Sequence, residues 1–99
     1  MNTKQHPRNF IKYFSFGISS MDTLVGTVVR YGKGQKLYIN AYFEGRLIHG
    51  YVDANGKIGE TVYISVINDS VFLDEDGNTS VIFFFRLEGV KETDYYNAA

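Results

Sequence analysis

Ninety-nine residues, 44% hydrophobic and 21% charged, are enough for one small globular domain that buries a single core without staples. The absence of cysteine excludes disulfides, thiolate zinc sites and cysteine nucleophiles. The net charge of −1 is unevenly spread, with eight bases against three acids in residues 1–57 and two bases against eight acids in residues 58–99. Such a division suits a basic face that meets an anion and an acidic face that does not, unless the halves interleave in space and cancel.

Residues 1–8 form a polar arm that contains the only proline and is expected to be loose. The start, "MNTKQHPRNF", lacks the apolar middle of a secretory signal. No apolar run approaches the roughly 20 residues of a membrane helix. The expected location is the cytoplasm, or a host cytoplasm for a viral or mobile-element product. A single all-β domain is expected over residues 9–90. Its first candidate strand is "NFIKYFSFGI" (Asn9–Ile18), with Phe10, Phe14 and Phe16 on one side and a break at Ser19–Asp22. "TLVGTVVRY" (Thr23–Tyr31) is β-branched and carries Gly26 inside, a position suited to a bulge or sharp coil.

After a turn at Gly32–Gly34, "KLYINAYFEGRLIHGYVD" (Lys36–Asp53) reads as two strands around a tight turn. Leu37, Ile39, Ala41 and Phe43 alternate with Lys36, Tyr38, Asn40 and Tyr42, so the two sets point to opposite faces. Asp53–Glu60, with an Asn-Gly pair, is a loop. "TVYISVI" (Thr61–Ile67) directs Val62, Ile64 and Val66 inward. "VFL" (Val71–Leu73), "DEDGN" and "TSVIFFFRLEGV" (Thr79–Val90) form a hairpin turning at Asp76–Gly77. The tail, residues 91–99, has no period and is expected to fray. The longest strands are expected within Thr23–Tyr31, Gln35–Phe43 and Thr79–Val90. Five to seven strands with internal glycines and little helix predict a small coiled barrel or a sandwich.

Catalysis finds little support. His6 lies in the arm and His49 in a strand, with no serine or aspartate spacing that marks a triad. "DEDGN" lacks the glycine at the sixth position and the glutamate at the twelfth that a calcium loop needs; Gly77 is fourth from Asp74 and the twelfth residue is Phe85. No catalytic group, metal or cofactor is expected. What stands out is Tyr38 and Tyr42 on one face of a strand, flanked by Lys36 and, across the turn, by Arg46. Arg30, Tyr31 and Lys33 lie at the preceding strand end and turn, and His49 is a candidate phosphate contact. Aromatic platforms in a positive groove are the physical recipe for holding single-stranded nucleic acid. The alternative is that these tyrosines pack against another strand or a sister subunit.

"LVGTVVRYGKGQKLYINAYFEG" (Leu24–Gly45) resembles the opening hairpin of bacterial single-stranded-DNA-binding proteins. "IGETVYISVINDSVFLDEDGNTSVIFFFRLEGV" (Ile58–Val90) is similar to their later part, in which a glycine-led strand precedes an acidic hairpin and a final strand. The resemblance covers residues 23–90 and concerns order and spacing. It implies the OB-fold, whose second and third strands bind oligonucleotides, and would place Tyr38, Tyr42 and Tyr51 on the binding sheet. The family's tryptophan platforms, its long basic hairpin and its long acidic tail are absent here.

Two functions follow as expectations. One is sequence-tolerant binding of single-stranded nucleic acid. The other is a grip on a protein partner through the same aromatic face, since tyrosine and arginine are favoured interface anchors. The apolar side chains of Asn9–Ile18 further predict a homodimer with that strand at or near the contact.

Overall fold

The computed structural model describes residues 10–92. The expected loose arm (residues 1–8) lies outside the described residues, and so does all of the tail beyond Glu92. Five strands make up most of the rest: β1 (Leu24–Tyr31), β2 (Lys36–Phe43), β3 (Arg46–Asp53), β4 (Thr61–Leu73) and β5 (Thr79–Val90). They close into a barrel in the order β1-β2-β3-β5-β4, so the molecule is an OB-like barrel and not a sandwich. β3 and β5 pair in parallel, and every other neighbouring pair is antiparallel. Helix among the described residues is confined to one 3-10 turn, and none is long and apolar enough to cross a membrane.

The period-two reading of β2 holds, and β3 follows the same alternation. Leu37, Ile39 and Ala41 are buried, opposite Val52, Gly50 and Ile48. Glu44 and Gly45 both take positive φ (51° and 80°), which is the twist a two-residue hairpin loop requires. The inward residues of β1, β4 and β5 complete the core: Leu24, Val28, Val62, Ile64, Val66, Phe83 and Phe85.

Two glycines are explained by close approach. At Gly50 a Cβ would stand 2.0 Å from the Phe83 carbonyl oxygen, so only glycine lets β3 pair with β5 and close the barrel. At Gly26 a Cβ would stand 2.5 Å from Ile39 Cγ2. Of the two roles that suit Gly26, a bulge or a sharp coil, the bulge is not there, since Gly26 keeps regular register with Ala41 and Val62. The bulge falls three residues later, at Val29, where the pairing jumps from Val28–Ile39 to Arg30–Tyr38.

Of the strand expected over Asn9–Ile18, Asn9 lies outside the described residues, and over residues 10–18 no strand forms. Ser15–Gly17 is the 3-10 turn, and Phe16 and Gly17 have φ of 64° and 77°, which reverses the chain. The Phe14 amide donates to the Ile18 carbonyl, and Tyr13 bridges Ser19. The reversal delivers Ile18, fully buried, into the core. Three contacts hold Phe16 in its left-handed conformation. Its ring packs on Phe83 at 6.0 Å, the Arg46 guanidinium lies 4.2 Å from its centroid, and the Asp69 carboxylate accepts from the Ser15 amide and hydroxyl.

The longest strands are β4 and β5, of 13 and 12 residues, rather than β1, β2 and β5. "TVYISVI" and "VFL", taken separately in the sequence, are one continuous strand because Asn68–Ser70 between them stays paired to Ile82–Phe84 across a register shift at Ile67. Beyond the barrel, the two strands run on as a ribbon with Val71, Phe72 and Leu73 exposed. The ribbon ends in a loop in which Asp74 Oδ1 accepts from the amides of Asp76 and Asn78.

Candidate nucleic-acid interface

The outward face of β2 and β3 collects the side chains that the core rejects. Tyr38 stands opposite Tyr51, and Asn40 opposite His49, with Tyr42 and Leu47 nearer the hairpin turn. The parallel pairing to β5 sets Phe84 beside Tyr51 on the same face. The result is a row of three half-buried rings, Tyr38, Tyr51 and Phe84, running across three strands. The Tyr38 and Tyr51 rings meet edge to face at 5.0 Å.

The bulge at Val29 supplies the charge. In unbroken alternation Arg30 would share the inward side of Leu24, Gly26 and Val28. With one extra residue it pairs with Tyr38 and faces outward. Its guanidinium then lies 4.0 Å from the Tyr38 ring centroid, a cation–π contact. The Tyr38 hydroxyl is hydrogen-bonded to His49 Nδ1. Burial pushes the Tyr38 phenol above its ordinary value, against the opposing pull of Arg30.

Arg30, Tyr31, Gly32, Lys33, Lys36, Tyr51 and Phe84 line an open groove of about 650 Å³ with no carboxylate in its wall. The turn lies low over the rings: a Cβ at Gly32 would stand 3.0 Å from Tyr51 Cε1. A smaller depression of about 210 Å³ continues the groove over Lys36, Tyr51, Phe84 and the base of the ribbon, and here Asp53, opposite Lys36 on β3, is part of the wall. Among the described residues the one ion pair joins Arg86 to Glu88, so no carboxylate pairs with Arg30, Lys33 or Lys36.

Of the residues singled out in the sequence, Arg30, Tyr31, Lys33, Lys36 and Tyr51 line one groove, Tyr38 packs against Arg30 and Tyr51 beside it, and His49 is bonded to Tyr38. Tyr42 is on the same face, 67% exposed, at the far end of the hairpin. Arg46 is not brought there. It stands opposite Phe43, on the inward parity of β3, and covers Phe16 at the end of the barrel. Phe84 was missed, although its signal was present: in "IFFF" the alternation that buries Phe83 and Phe85 turns Phe84 outward. Among the described residues no group of three or more acidic or histidine side chains is placed to hold a metal ion. Comparison of the chain with protein-family models, curated proteins and solved structures finds no match.

Proposed function

We propose that the protein binds single-stranded nucleic acid without catalysis, stacking bases on the outward rings of β2, β3 and β5 and tracking phosphates with Arg30, Lys33 and Lys36. One observation carries the reading: three aromatic side chains from three strands adjoin a groove walled by three cations and no acid. Each stacked base contributes about 1–3 kcal/mol, and every base has a face to stack, so the binding is tolerant of sequence. Because Arg30 already covers one face of Tyr38, a base at that position stacks on the guanidinium plane, while Tyr51 and Phe84 accept bases directly.

Fluorescence anisotropy with labelled single-stranded and duplex oligonucleotides at two salt concentrations tests the proposal. Single strands should bind more tightly, and the affinity should fall steeply with salt. Equal binding of duplex, or none of either, would overturn it.

A homodimer is part of the same proposal. Its support is the cluster of exposed apolar side chains around the reversed N-terminal segment, where Phe10, Tyr13 and Met21 are each about 70% exposed. A second reading, a grip on a protein partner, draws on the exposed Val71–Leu73 edge of the β4–β5 ribbon. Salt separates it from the first, since an apolar contact releases no counterions.

A further inference from the structure

A second depression, of about 280 Å³, lies between the β1–β2 turn and the β3–β4 loop. Tyr31 and Lys36 line both this depression and the basic groove, so the Tyr31 ring stands between the two. The Tyr31 hydroxyl donates to the Gly56 carbonyl at 3.3 Å, which ties the ring to the β3–β4 loop and holds it upright. The floor is built as well: Leu37 is a core residue, and a Cβ on Gly56 would stand 2.8 Å from Glu60 Oε1 and 2.9 Å from Leu37 Cδ1. Two exposed amides, Gln35 from one loop and Asn55 from the other, complete the lining. Neither has a side-chain hydrogen bond to the protein among the described residues.

We infer that this depression takes one unstacked nucleobase, laid against Tyr31 and read along its polar edge by the Gln35 and Asn55 amides. The inference rests on the single-strand reading above and adds base discrimination to it. Its volume is just below the usual range for ligand pockets, about 300–1,000 Å³, which suits one base rather than a dinucleotide. An amide offers a donor and an acceptor side by side, the complement of a base edge, whereas a ring face offers neither. The stripe of rings accepts any base, and the depression is where bases would be told apart. Lys36, common to the groove and the depression, is placed to hold the phosphate at the point where the strand turns in.

The test is a set of anisotropy titrations with homo-oligomers of dT, dC and dA, each twelve nucleotides long. They compare the wild type, the Gln35→Ala/Asn55→Ala double variant and Tyr51→Ala. The wild type should bind its best oligomer at least about fivefold more tightly than its worst. In the double variant that ratio should fall to near one while affinity for the worst oligomer is kept. Tyr51→Ala should weaken all three oligomers together and keep the ratio. An unchanged ratio in the double variant, or no preference in the wild type, would overturn the inference and leave single-strand binding standing. Failure of the wild type to bind any oligomer would overturn the single-strand reading, and this inference with it.

Discussion

The Cβ that Gly50 lacks would sit 2.0 Å from the Phe83 carbonyl oxygen, which is backbone and cannot swing aside. Gly50→Ala should therefore destabilise the barrel by about 3 kcal/mol or more, read as a lower urea midpoint. Leu37→Ala and Ile39→Ala should cost about 2–5 kcal/mol each through lost burial, whereas Tyr42→Ala, at an exposed ring, should leave stability almost unchanged. Tyr38 is a different case, because it is half-buried and its phenol is raised by burial. A raised tyrosine favours the folded state fully below the unfolded value, and that contribution is lost as pH rises through the folded value. An absorbance difference titration of the wild type against Tyr38→Phe should thus show one phenol ionising above the ordinary range, with stability lost only on the alkaline side. A difference at or below the ordinary value would contradict the burial of Tyr38.

At the scale of elements, bulges decide which face a side chain reaches. Alternation made the two faces of β2 legible in the sequence, because each face needs one residue type at every second position, but not the side on which Arg46 would stand across the turn. It also carried the signal for Phe84. It could not place Arg30, since the extra residue at Val29 is set by how β1 coils between β2 and β4, a relation between strands far apart in the chain. The reversal at Phe16 was hidden for the same reason: its left-handed conformation is held by Phe83, Arg46 and Asp69. Glu88 is another extra residue, in β5, where the pairing jumps from Tyr63–Gly89 to Ile64–Leu87. Its carboxylate accepts from the buried Ser65 hydroxyl and from Arg86 Nε, and these bonds, Ser65 first, hold its pKa below the ordinary range. A lowered carboxylate stabilises the fold above its unfolded value and loses that contribution as pH falls through the folded one. Ser65→Ala should move Glu88 back toward the ordinary range in an NMR pH titration, and the loss of stability on acidification should shift upward in pH with it. A Glu88 titration unmoved by Ser65→Ala would show that the hydroxyl is not the cause.

For the whole molecule, the barrel brings the ends of β1 and β2 next to the outward faces of β3 and β5, and in doing so sets three cations beside three rings. The sequence carried the charge imbalance but not its geometry: the acids of Asp74–Asp76 gather at the ribbon loop, and none lines the groove. Stacking and phosphate contact respond differently to salt, so one experiment separates them. Affinity for a labelled dT oligomer is measured across a salt series for the wild type, Lys36→Ala and Tyr51→Ala. Lys36→Ala should flatten the slope of log affinity against log salt by about 0.7, the loss of one phosphate contact on a single strand. Tyr51→Ala should lower the line by about 1–3 kcal/mol and leave it parallel to the wild type. No binding by the wild type, or three lines that coincide, would contradict the assignment of this face to single-stranded nucleic acid.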